Sequence, residues 1–308
     1  MKQLSTAEQL YGIKSFLRQM GAAQQQLTVL QIREQQLASI GQLPATDDVI
    51  AEPATVAGMR AEWVSDSTVP ADQEGIILYM HGGAFISGSC ETHRDLAARL
   101  AGASGLRVLV FEYRLAPEHR FPAANDDCIA AYRWLLEKGH KPEHIVLGGE
   151  SVGGYLVLAT LLALRDAGGP LPAAAFLMSP HTDFVRFDSS TYVTNADADP
   201  LGALANSRQC AETYAGESEV SNPILSPVDA DLSGFPNLLI QVGADEVLLG
   251  ECELLAERAR EAGVKAELEV WPNMWCAFQM MAGIVPEGAA AIEMAGDFVR
   301  KHVHPVPS

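Results

Sequence analysis

Two short stretches bring together residue types that could carry out nucleophilic acyl transfer. The first is Gly149-Glu150-Ser151-Val152-Gly153, set between the apolar run HIVLGG (144 to 149) and the helix-like YLVLATLLAL. A serine on a sharp strand-to-helix turn presents its hydroxyl at the end of a sheet, and small flanking residues avoid clashes there. The N-terminus of the helix that follows favours developing negative charge. The second stretch, His81-Gly82-Gly83-Ala84-Phe85, follows the apolar run GIILYM (75 to 80). Backbone N–H groups of small residues in such a turn can point at an oxyanion. The expected donors are Gly82, Gly83 and Val152, the last because it follows Ser151.

These turns need a rigid frame, and the rest of the chain supplies its pattern. Short apolar runs at 75 to 80, 107 to 113, 144 to 149, 173 to 178, 237 to 243 and 265 to 271 alternate with amphipathic segments at 91 to 103, 124 to 137, 153 to 166, 249 to 262 and 287 to 301. Runs that are apolar on both faces, separated by helices, predict an α/β domain with a mostly parallel sheet covered by helices. The first forty residues or so read as a helical hairpin needing a partner surface, with Ser5 and Glu8 at capping-box spacing and Leu10, Ile13, Leu17 and Met20 at helical intervals. Ser179 to Leu238 has no strong strand pattern and is long for a connection, which predicts an inserted lid segment with a helix near 201 to 215.

Composition narrows the function classes. The 308 residues are 48% hydrophobic, enough for a sizeable core in one domain. A net charge of −18 disfavours nucleic acid, whose binding depends on Lys and Arg displacing counterions. No apolar run is long enough for a membrane span, and MKQLSTAEQLYGIK lacks the order of a signal peptide, so a cytoplasmic location is expected. Cys90, Cys128, Cys210, Cys252 and Cys276 are odd in number and scattered, which argues for thiols rather than disulfides or a zinc site.

Taken together, the motifs resemble the bacterial hormone-sensitive-lipase-like (family IV) esterases of the α/β-hydrolase superfamily. HGGAF is similar to that family's oxyanion block and GESVGG to its GDSAGG nucleophile block, with Glu150 where Asp is commoner. YRLAPEHRFPAANDDCIAAYRWL (113 to 135), NADADP (195 to 200) and VGADEVL (242 to 248) also match. The resemblance implies an α/β-hydrolase fold capped by residues 1 to 45 and part of 180 to 224. It implies a carboxylesterase acting on short-to-medium acyl esters without a cofactor, and allows an edge-strand homodimer. It places the acid of a Ser, Asp, His series at Asp245. Glu246 and Glu251 read as a solvated helix start, and Asp183 in the insertion is a weaker rival. Within the cap, Leu10, Tyr11, Phe16 and Leu17 either line an acyl pocket or pack on the main domain.

One position departs from the pattern. In WPNMWCAFQMM (271 to 281), Cys276 stands where the family has its catalytic histidine, while Trp275, Ala277 and Phe278 keep the family's surroundings. An unperturbed thiol titrates at about pH 8.5 and its sulfur lies nearer the backbone than a histidine ring nitrogen, so Cys276 is a poor substitute base. No other histidine has the expected context; His302 and His304 in the tail are the only ones after Asp245. The expectation is an esterase scaffold of low activity, a variant of an active parent. The alternative is a non-catalytic pocket serving as a small-molecule sensor, as in the plant gibberellin receptor, which resembles this family and lacks its histidine.

Overall fold

A computed structural model of the chain describes residues 4 to 70, 73 to 216 and 222 to 303. Their centre is an eight-stranded sheet of order β1-β2-β4-β3-β5-β6-β7-β8. Its strands are β1 (Val49–Val56), β2 (Met59–Asp66), β3 (Ile76–Met80), β4 (Arg107–Phe111), β5 (Ile145–Glu150), β6 (Ala174–Met178), β7 (Asn237–Gly243) and β8 (Ala266–Trp271). From β4 to β8 all neighbours are parallel, whereas β1, β2 and β4 pair antiparallel. β3, β5 and β6 are buried along their whole length, as strands covered on both faces must be.

Helices α3 (Cys90–Ser104), α4 (Ala123–Glu137), α5 (Val152–Asp166), α8 (Leu249–Glu261) and α9 (Pro286–Val303) cover the sheet. One face buries Leu78, Leu147, Tyr155, Leu158 and Leu255, the other Ile77, Val108, Leu100 and Phe298. The central strands and these helices fall within a residue or two of the expected bounds. The β1–β2 hairpin is a structural addition. Its turn, Ala57-Gly58, has φ of 48° and 86°, and Pro53 is tolerated because β1 is an edge strand.

The segments expected to form a cap contain α1 (Ala7–Gln24), α2 (Val29–Ala38) and, within the insertion, α6 (Thr191–Thr194) and α7 (Leu204–Ala215). The capping box of α1 is one residue later than the sequence suggests. Thr6 and Gln9 form it, while Ser5 donates from both its N–H and its hydroxyl to the Glu287 carboxylate of α9. Leu10 and Leu17 pack against Met274, Trp275 and Phe278, but Tyr11 and Phe16 are 73% and 54% exposed. Among the described residues no helix is long and apolar enough to cross a membrane.

Candidate active site

Ser151 joins the end of β5 to the start of α5 at φ 55°, ψ −121°, a conformation that L-residues rarely adopt. The turn is held by contact with β3. A Cβ on Gly153 would lie 2.0 Å from the Met80 carbonyl oxygen, and one on Gly149 would lie 2.6 Å from Gly153 backbone, so neither position has room for a side chain. The Ser151 N–H donates to Met178 O (2.9 Å), and its carbonyl accepts from Gly154 N (3.1 Å) and His181 N (3.2 Å). Val152 opens α5, where the first N–H groups have no partner within the helix. Its N–H has no protein acceptor among the described residues.

Next to this turn, residues 81 to 87 are arranged by their carbonyl oxygens. The C=O and the N–H of a trans peptide point in opposite directions, so fixing one aims the other. His81 O accepts from Tyr113 OH (2.6 Å), Gly82 O from His81 Nδ1 (2.8 Å), and Gly83 O from Ile86 N and Ser87 N (3.0 Å each). Gly83, Ala84 and Phe85 all have positive φ (114°, 54° and 60°). One expectation fails here. The Gly82 N–H donates to Glu150 Oε1 and is therefore unavailable to an oxyanion. The N–H groups of Gly83 and Ala84 have no protein acceptor among the described residues. Ala84 escapes a reading of the sequence, which does not show which peptide of the turn is already engaged.

Cys276 lies in the loop after β8, and the structure brings its thiol within reach of the Ser151 hydroxyl. Burial pushes the Cys276 thiol well above its ordinary range, and the charges of Glu246 and Asp199 push it further, so it is a protonated thiol. The loop is seated tightly. A Cβ on Gly243 would lie 2.2 Å from Met274 O, and Ala277 N donates to Ser179 Oγ (3.0 Å).

Asp245 and Glu246 occupy one turn and face different surroundings. Asp245 forms an ion pair with Lys14 of α1, and its side chain is 26% exposed. Glu246 is fully buried. Its Oε1 accepts from Ser179 Oγ (2.7 Å) and Gly243 N (2.5 Å), while Oε2 has no partner. Burial, with the charge of Asp199 adding to it, raises Glu246 well above the usual carboxylate range, against those two hydrogen bonds. Of the charges felt at Cys276, that of Glu246 is the largest. Glu246 and Glu251 are thus not the solvated helix start that the sequence suggests. The NADADP segment holds this turn. Asn195 Nδ2 donates to Ala244 O (3.0 Å) and Glu246 O (2.8 Å), and Asp199 Oδ2 accepts from Val247 N (2.9 Å).

The histidines are placed elsewhere. His81, lowered to about 3 by burial, is neutral beneath the oxyanion turn. His181 is lowered to about 4 by burial and stacks on Phe184. His302 binds Phe298 O (2.7 Å) and Asn237 Nδ2 (2.8 Å) at the start of β7, the end of the sheet remote from Ser151. His304 lies outside the described residues. Asp183 is turned to Arg186. All five cysteines are free thiols.

The model of the α/β hydrolase fold family matches residues 77 to 280. An esterase of the bacterial hormone-sensitive lipase family superposes with a TM-score of 0.91 at 41% identity, covering 97% of this chain and 100% of that one. The chain belongs to this family. An acetyl-hydrolase of Streptomyces hygroscopicus is 43% identical over 247 residues, 80% of this chain and 81% of its own length. Esterase LipU of Mycobacterium tuberculosis is 36% identical over 269 residues, 84% and 89% of the two chains. Family membership accounts for the turn at Ser151 and the sheet beneath it.

Proposed function

We propose that the protein is a serine carboxylesterase for short-to-medium acyl esters whose turnover is impaired at one step. Ser151 attacks the ester carbonyl, the N–H groups of Gly83, Ala84 and Val152 receive the oxyanion, and water later cleaves the acyl-serine. Each half-reaction needs a base that takes a proton and returns it. Position 276 is where that base belongs, and the acid behind it is Glu246 rather than Asp245. The observation that carries the reading is the pairing of two groups. The Cys276 thiol meets the Ser151 hydroxyl, while the buried Glu246 Oε2 lacks the hydrogen-bond donor that an imidazole at 276 would provide.

A protonated thiol far above its ordinary pKa cannot accept the serine proton at neutral pH, so both proton transfers are slow in this chain. The names acetyl-hydrolase and esterase, borne by relatives of about 40% identity, support the substrate class. The test is a series of p-nitrophenyl esters from acetate to palmitate given to a Cys276→His variant. Hydrolysis confined to the shorter acyl chains and abolished by Ser151→Ala is expected; no hydrolysis of any member would contradict the reading.

A further inference from the structure

Glu150 is a buried carboxylate, one residue before the nucleophile, that takes no part in the acyl transfer itself. Its oxygens are fully engaged. Oε1 accepts from the Gly82 N–H and from His93 Nε2 (2.8 Å), and Oε2 accepts from Tyr79 OH (2.5 Å). His93 Nδ1 faces Thr92 Oγ1 (2.9 Å) and Ser89 O (3.2 Å), so the ring is held at both nitrogens. Burial alone would lower His93, but the charge and hydrogen bond of Glu150 outweigh it and raise it.

The His93 ring stacks on His81 (centroids 5.1 Å apart), and His81 stacks on Tyr113 (4.2 Å). His81 Nδ1 holds Gly82 O, whose peptide carries the Gly83 N–H. Glu150 therefore reaches the turn by two routes: through the Gly82 N–H of the preceding His81–Gly82 peptide, and through His93 and the His81 ring, which holds the Gly82–Gly83 peptide. The contact is close, since a Cβ on Gly82 would lie 2.7 Å from Glu150 Oε1.

We propose that Glu150 is a positioning residue for oxyanion stabilisation, its carboxylate locking the His81 to Ala84 turn onto the nucleophile turn so that the Gly83 and Ala84 amides stay aimed at the reacting oxygen. This rests on the reading that those amides, with that of Val152, form the oxyanion hole. Glu150→Met removes the acceptor at similar volume. Glu150→Gln keeps an acceptor for Gly82 and can donate to the Tyr79 oxygen.

Two readouts test it: kcat and KM on p-nitrophenyl butyrate in the Cys276→His background, and the affinity of the otherwise unaltered chain for butaneboronic acid, whose tetrahedral adduct on Ser151 mimics the oxyanion. Loss of a whole donor costs about 10² to 10³ in kcat, so a mis-aimed pair should lower kcat by about 10- to 100-fold in Glu150→Met, with KM within about threefold and boronate affinity falling in step. Glu150→Gln should keep most of both. Unchanged kcat and boronate affinity in Glu150→Met, or equal loss in Met and Gln variants, would overturn the proposal. If Glu150→Met does not fold, Tyr79→Phe and His93→Gln are read instead, and an unchanged kcat in both overturns it. If Cys276→His is inactive, the esterase reading fails and the boronate result decides alone; boronate binding indifferent to Ser151→Ala overturns the oxyanion hole and this proposal together.

Discussion

The proposed oxyanion turn and the proposed base loop depend on different kinds of atom. In the turn, the proposed donors are backbone N–H groups aimed by carbonyls bound to Tyr113, His81 and Ser87. In the loop, the required group is one side chain, and the backbone that presents it is tied by Ala277 N to Ser179 and by Met274 against Gly243. A site built from backbone survives most side-chain exchanges, whereas a site built from one side chain is lost by one exchange with its scaffold intact. On the proposed reading, that contrast accounts for an ordered site around Ser151 that lacks a competent base.

The contrast can be sharpened in the Cys276→His background. The largest effect is expected at the acid, where losing the carboxylate that orients a triad histidine costs up to about 10⁴ in kcat. Glu246→Gln should approach that loss, while Asp245→Asn should change kcat by less than about threefold, since its carboxylate serves Lys14. Steady-state kinetics of the two variants decides between the neighbours. Ser179→Ala comes next. It removes the hydroxyl that donates to Glu246 and accepts from Ala277 N, so kcat should fall about tenfold and stability by about 1 to 3 kcal/mol, read by urea unfolding.

The adjacent carboxylates also mark the limit of what sequence discloses. Both lie in the turn after NLLIQVG, and nothing local says which side chain faces inward; Lys14, 231 residues away, draws Asp245 outward. Gly82 is similar, because its N–H is engaged by Glu150 from another strand. Ser5 and Thr6 both precede an acceptable partner at capping spacing, and Glu287 of α9 settles which one caps. The nucleophile turn, by contrast, is legible because Gly149 and Gly153 are demanded by contacts within a few residues and by the adjoining strand. The β1–β2 hairpin is not, since Glu52 and Pro53 interrupt the apolar residues of its exposed edge strand. The reading of position 276 as that of the base rests on the resemblance of Trp275, Ala277 and Phe278 to the family's surroundings.

A smaller effect concerns the insertion. Burial raises Glu251 to about 7, against hydrogen bonds from Tyr192 OH (2.6 Å) and Thr182 N (2.9 Å). A carboxyl whose folded pKa is raised stabilises the fold fully below its unfolded pKa of about 4.3, and that contribution is lost as pH rises through its folded value. Tm should therefore fall between pH 5 and 8 by a few degrees more in the unaltered chain than in Glu251→Gln, as followed by thermal scans.

The most direct measurement is kcat/KM for p-nitrophenyl butyrate in the unaltered chain beside Cys276→His, with Ser151→Ala as the blank. If only the base is missing, the histidine variant should exceed the unaltered chain by about 10³-fold or more, with the unaltered chain near the blank. Equal activity in the two, both well above the blank, would mean that a base other than residue 276 serves Ser151 and would contradict the assignment.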